Sequence, residues 1–203
     1  AFGEIDSKLL LSTLGVVAFI LIIVYRSPIL WIIPLLSSLF ALSTAGGIVY
    51  LLAKNDIIDV DGQSQGILSV LVVGAATDYA LLLIARYREE LHLFESRFDA
   101  MRAAYKGVWE PILASGSTVS ISLLILLFSQ LSSTASLGPI GAIGIVCSMI
   151  TILTLLPALL LLFGRWIFWP RKPEFDGDDH VMSGTWSKVG RVIEKNPRRA
   201  WII

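Results

Sequence analysis

From Pro111 to Gly164 the chain carries no Asp, Glu, Lys, Arg or His. About 20 apolar residues, at roughly 1.5 Å each along a helix, cross the hydrocarbon core of a bilayer. This stretch therefore has length for two crossings. Its break falls at Gln130–Pro139, where polar residues and a Gly-Pro pair mark a turn. Leu9–Tyr25, Ile29–Ala53 and Gly62–Ala85 are further apolar runs of spanning length. The expected fold is an all-α polytopic membrane protein with five transmembrane helices, at about 9–25, 29–53, 62–85, 111–130 and 138–164. Composition agrees: 55% of residues are hydrophobic and 16% charged, against about 25% charged in an ordinary soluble domain. The formal net charge is zero, which gives no electrostatic footprint for a nucleic-acid partner.

The connections alternate in charge. Of the 16 Lys and Arg residues, only Lys8 and Lys54 fall on one side, beside Glu4, Asp6, Asp56, Asp59 and Asp61. The rest fall on the other side or follow Phe163. Basic loops face the cytoplasm, so the N-terminus is expected outside, in a bacterial cytoplasmic membrane, and the C-terminus inside. The chain opens at Ala1 with no initiator Met and closes at Trp201-Ile202-Ile203, behind the basic Asn196–Ala200. It is expected to be a piece of a longer protein.

Tyr25-Arg26-Ser27-Pro28 is short enough to fold the first two spans into a hairpin, with Pro28 suited to a first helical turn. Between spans three and four, Leu91, Phe94, Phe98, Met101 and Tyr105 recur at helical spacing against a charged face. This predicts a separate cytoplasmic amphipathic helix over about 88–106. Residues 165–200 read as a cytoplasmic segment: an aromatic-basic belt from Arg165 to Lys172, an acidic loop over 173–180, and a second amphipathic helix over 183–194. His92 and His180 read as surface residues. Cys147 is the only cysteine and no His lies in a span, so neither a metal nor a cofactor is expected.

Asp78 is the one charge between Gly62 and Ala85. An ionised Asp at the centre of a membrane helix costs at least about 2.5 kcal/mol on insertion scales. Such residues are retained for protons, ions or polar partners. Gly74, one turn away, is small enough to let a neighbouring helix close over the carboxylate, and Tyr79 adds a hydroxyl that donates or accepts. The first three spans are expected to pack around Asp78, with Gly74 at a helix contact. Ser117 and Ser120 are candidates for polar lining near it. Gly141, Gly144, Ser148 and Thr151 recur every three or four residues in the fifth span, a stripe suited to close helix packing.

The run Gly74-Ala-Ala-Thr-Asp78-Tyr79, continuing to Arg86-Tyr-Arg-Glu-Glu90, resembles the fourth transmembrane helix of the MMPL (mycobacterial membrane protein large) family of the resistance-nodulation-division superfamily. Val24-Tyr-Arg-Ser-Pro28, Leu137-Gly-Pro-Ile-Gly141 and Leu153-Thr-Leu-Leu-Pro157 match further segments in the family's order. The resemblance implies helices two to six of a twelve-helix transporter. Residues 1–8 would leave an extracytoplasmic porter domain, and 201–203 would open the next span. It further implies that Asp78 and Tyr79 form half of a proton relay, with a second Asp-Tyr pair in the other half. The partners implied are protons, membrane lipids, a hydrophobic or lipid substrate and that second half; the activity is export driven by the proton motive force.

Two other classes compete. An intramembrane aspartyl protease would need a second membrane Asp and a Gly two positions before one of them, where this chain has Ala76; no enzyme is expected. A non-transporting sensor akin to sterol-sensing domains would share the five-helix core, but would not need the ionisable group.

Overall fold

The computed structural model describes residues 2–25, 27, 29–60, 62–129, 131–170 and 173. Five α-helices make up nearly all of it: α1 (Phe2–Tyr25), α2 (Ile32–Lys54), α3 (Gly62–Leu93), α4 (Arg97–Leu124) and α5 (Ser132–Phe163). Short 3₁₀ turns extend α4 over Ile125–Phe128 and α5 over Gly164–Phe168. Four of the helices, α2 to α5, are long and apolar enough to cross a membrane; the apolar part of α1, Leu10–Tyr25, is shorter. The second amphipathic helix expected over 183–194, His180 and the span expected to open at 201 lie outside the described residues.

Local chemistry sets the helix ends. α2 stops because Asp56 turns into the left-handed region at φ 55°, a conformation that Asp tolerates better than most residues. The Asp56 N–H then reaches the Ala53 carbonyl at 3.1 Å and the Ile57 N–H reaches Leu52 at 3.0 Å. These two bonds are a Schellman closure, which occupies carbonyls that the helix end would leave open. α4 starts at Ser96, whose extended backbone lets its hydroxyl accept from the Asp99 N–H at 3.5 Å.

That cap corrects the expected amphipathic helix over 88–106. No separate helix forms there. Its first six residues continue α3 to Leu93, and its last ten are the first part of α4. The break at residues 94–96 falls inside the apolar stripe because Ser96-Arg-Phe-Asp99 supplies an N-cap and an acidic first turn. Leu91 and Met101 are buried, whereas Phe94 and Phe98 are exposed. Pro111, expected near the start of span four, lies well inside α4.

The expected turn over 130–139 is also much shorter. α5 begins at Ser132 and runs through Gly138 and Pro139 without ending. Membrane helices carry such residues where neighbouring helices compensate. Here a Cβ added at Gly138 would stand 2.6 Å from the Leu123 carbonyl oxygen of α4, so the glycine permits close approach rather than a turn.

α5 packs against α2, α3 and α4, and α1 packs chiefly against α3. Its stripe of small residues is the seam: Gly141, Gly144, Ser148 and Thr151 are all buried. At Gly144 an added Cβ would lie 2.7 Å from both Leu68 Cδ1 and Val72 Cγ2 of α3. One turn on, the Ser148 hydroxyl donates to the Gly144 carbonyl at 2.8 Å and lies 3.4 Å from the Val72 carbonyl across the seam. Gly116 of α4 faces Met149 so closely that an added Cβ would overlap its Sδ. Buried apolar residues form one cluster from Leu21 through Leu83, Leu91, Met101 and Leu160 to Phe168, and another around Ala41, Val49, Leu68 and Ile140.

The basic end of the bundle is tied together by hydrogen bonds. Buried Ser27, between α1 and α2, donates through its hydroxyl to the Ile167 carbonyl at 2.9 Å. Arg165 donates to the Phe94 carbonyl at 2.6 Å, to the Glu95 carbonyl at 3.1 Å and to the Pro173 carbonyl at 2.9 Å. The turn after α5 thus holds both the α1–α2 connection and the break between α3 and α4.

Candidate functional site

The buried residues of α3 are Leu68, Val72, Val73, Ala76, Thr77, Tyr79, Ala80, Leu83 and Ile84 through its middle. At 100° per residue they occupy one broad arc. Asp78 lies on the opposite face and is exposed. Ile67, Val70, Leu82 and Ala85 are exposed as well. Gly74 shares the face of Asp78, and an added Cβ there would meet nothing within 4 Å.

This differs from the expected packing of three spans around Asp78. No helix of the five closes over the carboxylate, and none makes the expected contact at Gly74. The reason is visible in the pattern of α3: the large aliphatic residues and Tyr79 draw α1, α2, α4 and α5 to one side. Asp78 therefore stands on a face that the described residues leave uncovered. Among them it makes no hydrogen bond or ion pair.

Tyr79, adjacent in sequence, points roughly 100° away around the helix and is 8% exposed, within the main apolar cluster. The two members of the sequence pair thus lie in different surroundings. Thr77, which precedes the pair, is satisfied locally, donating to the Val73 carbonyl at 2.8 Å and lying 2.9 Å from that of Gly74. On α4, Ser120 is buried with no hydrogen-bond partner for its hydroxyl among the described residues, whereas Ser117 is exposed. These two candidate lining residues do not share one environment.

Depth places Asp78 inside the hydrocarbon layer. It precedes Arg86, the first basic residue of α3, by eight positions, or about 12 Å of helix rise. The hydrocarbon layer is about 30 Å thick. An uncovered carboxylate at that depth would face lipid unless another protein segment covers it, and intramembrane acids almost always face protein or water-filled cavities. Of α2 to α5, α4 is the least covered: 17% of its apolar stretch is buried, against 39% for α2, 50% for α3 and 44% for α5.

Sequence reasoning missed two polar features at the basic end. Glu90 is buried and paired with Arg86 at 2.7 Å, and Arg86 also holds the exposed Glu89 at 2.9 Å. The i, i+3 and i, i+4 spacing signalled both pairs. The Arg165 anchor joins residues some 70 positions apart, and no local pattern announces it. Among the described residues, no group of three or more His, Cys, Asp and Glu is placed to hold a metal ion.

Long apolar helices, small-residue seams and one uncovered intramembrane carboxylate define a multi-pass helical membrane protein. The sequence model of the MMPL family matches residues 1–200, and the chain belongs to that family. Similar proteins include the membrane protein ActII-3 of Streptomyces coelicolor, 48% identical over all of this chain and 28% of its own length. The apo-petrobactin exporter of Bacillus anthracis is 38% identical over 94% of this chain and 26% of its own. The acyltrehalose exporter MmpL10 of Mycobacterium tuberculosis is 36% identical over 55% of this chain and 11% of its own. The chain thus spans less than a third of the length of these relatives.

Proposed function

We propose that the chain is part of the membrane domain of an exporter for lipids or other hydrophobic molecules, driven by the proton motive force. In this reading Asp78 and Tyr79 supply its half of a proton relay. The observation that carries it is the ionisable side chain within the hydrocarbon layer, on the face of α3 that the other four helices leave open. A segment of the same polypeptide, the second half of the transporter, covers α3 around Asp78 and Gly74 and contributes the complementary acidic group. Gly74 then meets that segment rather than a helix of this unit. Tyr79 acts from the packed side of α3 by fixing the helix that carries the carboxylate. The apo-petrobactin and acyltrehalose relatives are named as exporters, which supports the class but leaves this chain's own substrate open within it.

The energy scale is adequate. Each elementary charge moved through the membrane potential supplies about 2.3 kcal/mol per 100 mV, enough to bias a conformational cycle whose states differ by a few kcal/mol. The cycle requires Asp78 to exchange its proton with one side of the membrane at a time.

The reading fixes sidedness. The acidic connection around Asp59 faces outward and the break around Glu95 faces the cytoplasm. With Cys147 replaced by Ala, a cysteine introduced at Asp59 is expected to react with an impermeant maleimide applied to intact cells. One at Glu95 should react only after permeabilisation. Labelling of the Glu95 position alone from outside would reverse the orientation and remove the inward-facing basic end from the proposal.

A further inference from the structure

We propose a phospholipid-binding groove at the basic end, between α1 and α3, with the lipid phosphate held by Arg88 and an acyl chain lying along α3. Val24 and Tyr25 of α1 form one wall, and Leu81, Ile84 and Ala85 of α3 form the other. Arg88 and Glu89 stand at one end. The free volume, about 470 Å³, lies within the roughly 300–1,000 Å³ of typical ligand pockets.

Polarity is graded along the groove as it is along a phospholipid. Leu81 to Ala85 lie within the apolar part of α3, whereas Arg88 lies ten residues beyond Asp78, about 15 Å further along the axis. That distance carries its guanidinium out of the hydrocarbon layer to the level of lipid headgroups. Arg86, Arg88, Glu89 and Glu90 sum to zero charge but pair unevenly. Glu89 is already held by Arg86 at 2.9 Å, and Glu90 by the same arginine at 2.7 Å. Arg88, exposed, has no ion pair among the described residues. Its planar donors match the oxygens of a phosphate.

The α1 wall also carries an unsatisfied polar group. Tyr25, one of the wall residues, is 8% exposed, and its hydroxyl is buried without a hydrogen-bond partner among the described residues. A buried donor left unmade is unfavourable by about 1–3 kcal/mol, and a wall of pure packing would be better served by Phe. Neither the carboxylate of Asp78 nor its titration enters the argument, so the groove stands independently of the relay.

The test uses the full-length protein in phosphatidylglycerol nanodiscs, with a trace of phosphatidylglycerol bearing a diazirine in one acyl chain. Diacylglycerol with the same labelled chain serves as the probe lacking phosphate. Cross-links from the phospholipid are expected on the peptides containing Val24–Tyr25 and Leu81–Ala85, and about tenfold fewer from diacylglycerol. Arg88→Gln should lower the phospholipid signal by roughly the same factor, the loss of one charge-assisted hydrogen bond. Ala85→Trp, at an exposed position, should fill the groove and abolish it. Asp78→Asn should leave labelling unchanged whether or not transport survives. Equal labelling by diacylglycerol, full labelling of Arg88→Gln, or absence of labelling in the wild-type protein would each overturn the assignment.

Discussion

Asp78→Asn in the full-length protein is expected to abolish proton-coupled export while leaving abundance and folding close to wild type. Asn keeps the size of Asp and much of the hydrogen bonding of its protonated form, but has no proton to exchange. Because Asp78 makes no hydrogen bond or ion pair among the described residues, the substitution removes no contact from this bundle. The measurement is substrate efflux from vesicles under an imposed pH gradient, with protein abundance followed in parallel. Undiminished gradient-driven efflux would end the relay proposal. Loss of the protein itself would assign Asp78 to a structural bond with the covering segment. Tyr79→Phe should reduce efflux less, since it keeps a ring that is packed into the core.

The second large effect is structural. Gly144→Leu should destabilise the bundle by about 1–3 kcal/mol or more, the usual range for overpacking. The new side chain would enter space already held by Leu68 and Val72, 2.7 Å from its first carbon. Gly46→Leu is the matched control. It too lies inside a helix, but its Cβ meets nothing within 4 Å. Leu there gains helix propensity of about 0.8–1.0 kcal/mol over Gly. Thermal unfolding in one detergent should separate the two variants clearly. Equal midpoints would mean that the α3–α5 seam is looser than the geometry requires.

The helices were legible because long apolar runs with at most one charge have few other uses. The small-residue stripe of α5 was legible for a related reason: helical spacing of Gly and Ser has a direct packing meaning. The helix ends were harder. Gly138-Pro139 carries a strong turn signal, but tertiary packing against Leu123 overrides it and turns the glycine into a contact. The Ser96 cap was readable as a motif, yet the apolar stripe running across it was the longer pattern and gave the wrong element. At the site, sequence identified Asp78 as anomalous but placed it in the wrong surroundings. The direction in which a helix turns its one acid depends on where all its large residues go, and α3 gathers its partners on the far side. Arg165 was invisible because its acceptors are backbone carbonyls, which carry no residue identity.

The tie between the turn after α5 and both basic-end connections bears on how the protein is made. Ser27 and Phe94 are synthesised long before Ile167 and Arg165, which hold them, and the seam partner of Leu68 and Val72 lies on the last helix as well. The early helices therefore enter the bilayer without these ties, which close only once α5 and the turn after it leave the translocon. A nascent chain stalled before Ser132 should consequently be a substrate for membrane quality-control proteases, whereas one extending past Pro173 should resist them. Equal turnover of the two chains would show that the first four helices hold together unaided.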